Sequence, residues 1–316
     1  MDSCNFENCP GFPKTRTIDV LGKSVVVKNY KCRGENLPYE EKPQNIKLQL
    51  SIILSEFCNG NCPFCIAKPT DNTARLDLKR LYAVLKELKD INIVRGISFT
   101  GGEPFNDVSR LNEAVSMVFE IFGHDMEVCI ETNGSGLLSL HSIDELAHVD
   151  TVHISRHHYL DAKNDELFGR TMLRRGELKE VVDSISYKDL FVLNCVMLKS
   201  YIGSTHEAFK YLDDAISLNI PKVAFITCYP VNKFASNETV SFDSILNDDT
   251  KQILFTQGFV DFDNCRCRDG VYTDGNGGLI EFYGRTTNMG DCEYCRGFSI
   301  RPDGHLYKGF SKEIIV

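Results

Sequence analysis

Long apolar runs and a surplus of positive charge are both missing from this sequence. No segment approaches about 18 apolar residues, so no membrane-spanning helix is expected. Lys and Arg number 35 against 44 Asp and Glu, which gives a net charge of −9. That balance argues against a nucleic-acid or anionic-membrane binder. Residues 1–16 are polar and lack the apolar segment of a signal peptide, so we expect a cytoplasmic protein.

Cysteine is the residue in excess, with 13 copies. The number is odd and no export signal precedes it, so a disulfide framework is not expected. Cysteine at this density in a reducing compartment indicates metal binding or catalysis. Cys129 and Cys195 lie in apolar runs and are interpreted as small core residues. The N-terminal Cys4, Cys9 and Cys32 are interpreted as unbound thiols or as ligands of a further site.

An alternation of apolar strands and helical segments runs from about residue 46 to 230. The predicted strands are Leu48–Leu54, Gly96–Thr100, Met126–Glu131, Thr151–Ser155, Phe191–Met197 and Lys222–Thr227. The predicted helices are Asp77–Lys89, Val108–Phe122, Ser142–Ala147, Gly176–Ile185 and Thr205–Leu218. Polar residues follow the strand ends, which favours a partial (β/α)6 TIM-like barrel over an open doubly wound sheet.

The chain is predicted to consist of four consecutive segments, of which the α/β barrel is the second. Residues 1–45 form an irregular extension with one hairpin, and residues 46–230 form the barrel. Residues 231–254 are polar and predict a linker. Residues 255–316 contain four cysteines and many glycines, which predicts a small Cys-rich domain stabilised by a metal.

The strongest local signal is Ser55-Glu-Phe-Cys58-Asn-Gly-Asn-Cys62-Pro-Phe-Cys65. Its CxxxCxxC spacing places three thiolates on one short loop, enough to bind three irons of a [4Fe–4S] cube and leave the fourth iron open. The alternative is a structural zinc loop with one distant ligand.

The cysteine loop and two later motifs together resemble the radical SAM superfamily. These motifs are Thr100-Gly101-Gly102-Glu103-Pro104, after the second predicted strand, and Glu131-Thr-Asn-Gly134, after the third. The resemblance implies a [4Fe–4S] cluster on Cys58, Cys62 and Cys65 that cleaves S-adenosylmethionine (SAM) into a 5′-deoxyadenosyl radical. The residues that it implies for cofactor binding are Phe64, Gly101, Gly102, Glu103, Pro104, Thr132, Asn133, Ser155 and Asn194.

A second cysteine group, the C-terminal quartet, consists of Cys265, Cys267, Cys292 and Cys295. Four thiolates suit tetrahedral zinc or an iron–sulfur cluster, and spacing alone does not separate the two. In context the quartet is similar to the auxiliary-cluster extension of the twitch and SPASM branch of radical SAM proteins. That likeness implies a second [4Fe–4S] cluster, which would accept an electron from a substrate radical or stabilise the domain.

Three further residues are candidates for moving a proton or hydrogen atom: His157, Tyr159 and Cys228, which follow predicted strands. The resulting hypothesis is a radical SAM enzyme acting on a small polar metabolite such as a nucleoside or sugar. It would be served by a one-electron reductant such as flavodoxin or ferredoxin. One alternative is a maturase of a ribosomally made peptide. Another, from a different class, is a non-catalytic iron–sulfur or zinc scaffold protein.

Overall fold

The computed structural model of the chain describes residues 15–28, 47–67, 74–261, 270–283, 297–310 and 312–316. Its strands are β1 (Thr15–Val20), β2 (Lys23–Lys28), β3 (Leu48–Ile53), β4 (Val94–Thr100), β5 (Glu127–Thr132), β6 (Thr151–Ser155), β7 (Phe191–Met197), β8 (Lys222–Thr227), β9 (Val260–Asp261), β10 (Gly270–Thr273), β11 (Leu279–Tyr283), β12 (Gly297–Ile300) and β13 (Leu306–Lys308). Its α-helices are α1 (Leu78–Asp90), α2 (Val108–Phe122), α3 (Asp161–Phe168), α4 (Arg175–Ser184), α5 (Thr205–Ser217), α6 (Lys233–Glu238) and α7 (Asp248–Thr256). Among the described residues, no helix is both long and apolar enough to cross a membrane.

One large sheet contains eleven strands in the order β13-β12-β3-β4-β5-β6-β7-β8-β11-β10-β9. The six strands from β3 to β8 are neighbours in chain order and run parallel. Parallel neighbours need crossover connections, and helices supply most of them. The α/β class and the mainly parallel sheet are therefore as predicted. Strands β1 and β2 form a separate antiparallel hairpin, also as expected.

The parallel strands have two chemically different faces. Side chains such as Ile97, Phe99 and Ile130 belong to the main hydrophobic core, together with helix residues. This is the helix-covered face. Successive side chains on a strand alternate between faces, so the residues between these core positions point the other way. Many of them are polar, and we call this side the polar face; it includes Ser51, Ser98, Cys129, Glu131, His153, Asn194, Glu281 and Ser299.

The helices pack on the sheet through apolar stripes of helical period. In α1 the buried residues are Leu81, Val84, Leu85 and Leu88, a spacing that places them on one side of the helix. The helix begins after Asp77, whose carboxylate accepts a hydrogen bond from the backbone N–H of Lys79 and so satisfies one free donor of the first turn.

Predicted helix Ser142–Ala147 is wrong in type. The chain there forms two short 3₁₀ helices, Leu137–Ser142 and Leu146–His148, with an extended Ile143 between them. The side chain of Asn112 in α2 makes two hydrogen bonds of 2.8 Å with Asp144. Its Oδ1 accepts from the backbone N–H of Asp144, and its Nδ2 donates to the carboxylate of Asp144. These bonds hold the segment against α2 in a non-helical conformation.

Helix α3 was not predicted. It has eight residues, and its apolar residues are too few to give a clear helical stripe, so periodicity does not reveal it. It ends at Gly169 in the left-handed conformation, a common helix stop.

The predicted linker, residues 231–254, is not an extended loop. It contains α6 and most of α7, and Ala235, Ile245 and Leu254 within it are buried. Asn232 and Asn247 accept hydrogen bonds from the first turns of these helices, so the Asn residues that suggested a loop are helix caps.

The described strands of residues 255–316 join the main sheet. Strand β11 pairs in parallel with β8, and β12 pairs in parallel with β3. The sequence predicted a separate small domain here. These strands instead pair with the main sheet because both edges of the β3 to β8 sheet have free hydrogen-bonding groups, and Phe282 and Phe298 are thereby buried in the main core.

Candidate functional site

The three cysteines of the CxxxCxxC motif lie half-buried on the loop that follows β3. The loop folds back on itself, with the backbone N–H of Cys65 donating to the carbonyl of Cys62 at 3.1 Å. Two N–H groups point at the sulfur of Cys58: the backbone of Gly60 at 3.3 Å and the side-chain amide of Asn133 at 3.7 Å. Such donors stabilise a thiolate ligand.

The thiols suit an iron–sulfur cluster in both chemistry and placement. Burial raises the pKa of Cys58 and of Cys62, and the neighbouring thiols of the motif raise both further because like charges would repel. Positive iron ions would reverse that balance, since thiolates are soft ligands that metals deprotonate. The donor set therefore fits a cluster bound through Cys58, Cys62 and Cys65.

Gly101 and Gly102 form the surface on which the cysteine loop rests. A Cβ atom on Gly102 would lie 1.9 Å from the carbonyl oxygen of Phe57, inside the loop backbone. Gly101 has φ +123°, and its Cβ would lie 2.5 Å from the side chain of Ile53. The N–H of Gly102 donates to the carbonyl of Ser55 at 3.0 Å. Gly102 is thus needed where two backbones meet, and Gly101 is needed for its positive φ beside Ile53. The resemblance had implied that both glycines contact the cofactor.

Glu103 ties the ends of β4 and β5 together. Only 2% of it is exposed, and burial raises its pKa. Its carboxylate accepts from the hydroxyl of Thr132 at 2.7 Å, and from the backbone N–H groups of Asn133 at 2.6 Å and Phe105 at 3.0 Å. The Glu103 carboxylate and the three groups that donate to it therefore satisfy one another's hydrogen bonds. Thr132 is buried and in addition accepts from the N–H of Gly134, so it faces protein and not a ligand.

An aromatic stack connects the cysteine loop to β6 and α3. The ring of His157 stacks on Phe168 at 5.1 Å and meets the edge of Phe64 at 5.0 Å. His157 is 4% exposed, and its Nδ1 accepts from the backbone N–H of Val196 at 3.1 Å. The predicted proton-transfer role does not suit this position, because the ring is enclosed and Nδ1 is occupied. His157 instead supports Phe64 and thereby the loop.

The other two proton or hydrogen-atom candidates are placed differently from each other. Tyr159 is half-buried, and its hydroxyl donates to Glu207 at 2.8 Å; burial and this bond raise its pKa. Cys228 is fully buried in a small apolar cluster with Phe64, Leu167 and Ala235. Burial raises the pKa of Cys228 to about 11. Its thiol is thus neutral and contacts the same cluster as the cysteine loop.

A small cleft lies beside the loop, lined by Asn133, Gly134, Ser155, Arg156 and Phe168 among others. Asn133 and Ser155 were both predicted to bind the cofactor, and the structure brings them to one cleft. Asn194 is elsewhere: its amide contacts Glu131 and His153 on the polar face. The C-terminal quartet and Cys4, Cys9 and Cys32 lie outside the described residues.

Asn164 holds the backbone that follows β6, and its role was not predicted from the sequence. Its Oδ1 accepts from the backbone N–H groups of His157 at 2.8 Å and His158 at 3.1 Å, and 1% of the residue is exposed. No motif marks it. The polar face was also missed, although Cys129, Glu131 and His153 occur at every second position of strands expected to be apolar, which is a visible signal.

Comparison with known proteins agrees with this geometry. Residues 52–200 match the family model described as Radical SAM superfamily. YydG of Bacillus subtilis (strain 168), named as a candidate peptide biosynthesis protein, is 24% identical over 207 residues, which cover 64% of this chain and 62% of YydG. The chain therefore spans less than two thirds of that relative's length.

Two solved structures share the fold. Streptococcus suis SuiB bound to precursor peptide SuiA is 18% identical with a TM-score of 0.57, covering 83% of this chain and 59% of SuiB. Native anSMEcpe with bound AdoMet and Cp18Cys peptide is 14% identical with a TM-score of 0.53, covering 84% and 74%. The two structures show that the fold is shared, and the match of residues 52–200 to the family model identifies a radical SAM superfamily domain in this chain.

Proposed function

We propose that this chain is a radical SAM enzyme that modifies a peptide. The observation that supports the chemistry best is the cysteine loop, held by direct backbone contact against Gly102 and by hydrogen bonds from Gly60 and Asn133 to Cys58. A [4Fe–4S] cluster bound to Cys58, Cys62 and Cys65 would supply one-electron cleavage of SAM and hence a 5′-deoxyadenosyl radical.

The chain's own residues position these groups. Phe64 and His157 fix the loop from behind, and Gly102 fixes its start. Asn133 and Ser155 line the neighbouring cleft, where they would hydrogen-bond the nucleoside part of SAM. The strands from β3 to β8, curved as a partial barrel, would enclose the substrate on their polar face and exclude water from the radical. Cys228 is fully buried in the apolar cluster that contains Phe64, so its proposed role becomes packing behind the cysteine loop and not the supply of a hydrogen atom.

The proposed peptide substrate replaces the small polar metabolite that the sequence favoured. A small polar metabolite, such as a nucleoside or sugar, was the first hypothesis. The similar proteins favour the alternative, since YydG is named for peptide biosynthesis and SuiB and anSMEcpe were solved with peptides. We therefore propose a peptide substrate, with a flavodoxin or ferredoxin as reductant.

The C-terminal quartet is proposed to bind a second [4Fe–4S] cluster, with zinc as the alternative. Iron counting on the triple variant Cys58→Ala/Cys62→Ala/Cys65→Ala separates the two. About four irons per chain should remain if the quartet binds a cluster. A protein with zinc in the quartet would retain no iron.

The chemistry is tested by anaerobic reconstitution with iron and sulfide, reduction with dithionite and measurement of 5′-deoxyadenosine. The wild type and the control Cys195→Ala should both release it from SAM, because Cys195 lies on the helix-covered face. The triple variant should release none. A fully iron-loaded wild type that neither binds nor cleaves SAM would leave a non-catalytic iron–sulfur scaffold as the function.

The substrate class is tested with any short peptide encoded beside this chain's gene. Incubation with SAM and reductant should change the mass of that peptide and increase 5′-deoxyadenosine above the level without substrate. Mixtures of nucleosides and sugars serve as the comparison. Stimulation by those mixtures and not by the peptide would restore the small-metabolite hypothesis.

A further inference from the structure

Three side chains of metal-binding types meet on the polar face and do not belong to the cysteine loop. Cys129 and Glu131 are two residues apart on β5 and so share a face, and His153 on β6 is the register partner of Glu131. The sulfur of Cys129 lies 3.7 Å from Oε1 of Glu131, and Nδ1 of His153 lies 3.6 Å from the same oxygen. One donor atom from each residue lies within 4.8 Å of the other two.

This arrangement corrects the prediction that Cys129 is a core residue. Cys195 and Cys228 are fully buried among apolar side chains, whereas Cys129 is only partly so and contacts a carboxylate. Parallel strands covered on both sides are usually apolar throughout. A thiol, an imidazole and a carboxylate side by side on one face of parallel strands are therefore unusual, and the side chains of His153 and Glu131 are 22% and 36% exposed.

Asn194 on β7 provides an independent observation. Its Nδ2 lies 3.2 Å from Oε2 of Glu131 and 3.3 Å from Nδ1 of His153. Its Oδ1 is buried, and none of the described residues gives it a hydrogen bond, while 7% of the residue is exposed. A buried amide oxygen without a partner is costly. Turning the amide by 180° exchanges its oxygen and nitrogen, which have nearly the same shape.

The turned amide would direct its oxygen at a carboxylate oxygen and an imidazole nitrogen. Whether Nδ1 of His153 donates or accepts depends on its tautomer. With the proton on Nε2, three acceptors face one another, and a cation among them would relieve their repulsion. In tetrahedral zinc sites, metal–N and metal–O bonds of about 2.0–2.1 Å give donor–donor separations of about 3.3 Å, and a sulfur ligand lengthens them to about 3.6 Å. The observed separations are close to these lengths, with both carboxylate oxygens taking part. Asn194 lies 3.2 Å from Oε2 of Glu131 and 3.3 Å from Nδ1 of His153, and Oε1 of Glu131 lies 3.6 Å from His153 and 3.7 Å from Cys129.

We propose that Cys129, Glu131, His153 and the turned Asn194 bind one divalent ion of the zinc type. The donor set of one thiolate, one imidazole and two oxygens suits Zn²⁺ or Co²⁺. The site goes beyond the proposed function: its four residues lie on the polar face proposed to enclose the substrate, but none belongs to the cysteine loop. Its failure would therefore leave radical chemistry at Cys58, Cys62 and Cys65 untouched.

The test counts metal on the full chain. Chelator-treated protein is equilibrated anaerobically with Co²⁺ or Zn²⁺, and bound metal per chain is measured for wild type, Cys129→Ser, His153→Ala and the control Cys195→Ala. Wild type and control should bind one ion more than either site variant. With Co²⁺, the Cys129→Ser variant should also lose part of the thiolate charge-transfer absorbance.

A second arm excludes the other cysteines and misfolding. The same difference of one ion should persist in the background Cys58→Ala/Cys62→Ala/Cys65→Ala, because the site lies outside the loop. Glu131→Gln, which keeps the shape of the side chain, should also lose the ion while its circular dichroism matches wild type. Equal metal counts in wild type and folded Cys129→Ser, His153→Ala or Glu131→Gln would overturn the proposal.

Discussion

The helix-covered face and the polar face belong to the same strands yet differ in what they contribute. Neighbouring residues of β4 illustrate this: Phe99 is fully buried in the main core, while Ser98 points to the opposite side and its hydroxyl lies 3.1 Å from that of Ser51. One face supplies burial of apolar surface, and the other supplies donors and acceptors. The difference teaches that stability and chemistry are separated here by the alternation of side chains along each strand.

The most direct way to break this comparison is to truncate Phe99 and Ser98 in turn. Phe99→Ala should lower the free energy of unfolding by about 3–5 kcal/mol, because it removes a buried ring and leaves a cavity. Ser98→Ala should cost about 1 kcal/mol or less, since it loses one hydrogen bond. Denaturant unfolding of both variants measures the two values. Equal losses of unfolding free energy in the two variants would mean that the two faces contribute equally to stability.

Gly102→Ala examines the end of β4, where the sheet meets the cysteine loop. The new methyl group would overlap the backbone of Phe57, so we expect a cost of about 3 kcal/mol, at the upper end for overpacking. Iron content after reconstitution should fall with it. Gly176→Ala is the control, because Gly176, like Gly102, has no positive φ and nothing lies within 4 Å of its Cβ position. Full iron loading of Gly102→Ala would show that the loop does not depend on this contact.

Asn164→Ala sharpens the comparison by removing a buried polar side chain near the site. The N–H groups of His157 and His158 would lose their acceptor, at a cost of about 2 kcal/mol. Asn112→Ala, which removes amide bonds to Asp144 near the surface, should cost less. Thermal unfolding of the two variants gives the ranking. The reverse order would contradict a structural role for Asn164.

Glu103 gives the smallest effect, a dependence on pH. Burial raises its pKa in the folded state above the ordinary value of 4.5, so folding favours the protonated carboxyl. Its stabilising contribution is present below the ordinary value and is lost as pH rises through the raised pKa. The stability of wild type relative to Glu103→Gln should therefore increase as pH falls, by at most about 1.4 kcal/mol per pH unit. A difference that is constant with pH, or falls toward acid, would contradict the raised pKa.

Local pattern was enough to predict some features. The six parallel strands and the helices α1, α2, α4 and α5 follow from β-branched apolar runs and helical periods, which act over a few residues. The cysteine loop follows from spacing, because three thiols within eight residues must lie close together. The caps Asn232 and Asn247 were misjudged as loop residues, since the same residue types favour both turns and helix starts.

The sequence by itself determined the parallel sheet and the three-thiol loop, because both depend on neighbours along the chain. Tertiary structure alone decided that Gly102 meets the backbone of Phe57, that His157 is enclosed by Phe64 and Phe168, and that Cys129, Glu131, His153 and Asn194 converge. These contacts join residues from different strands and helices. Their partners are set by sheet register and by packing at close range, which no local pattern specifies.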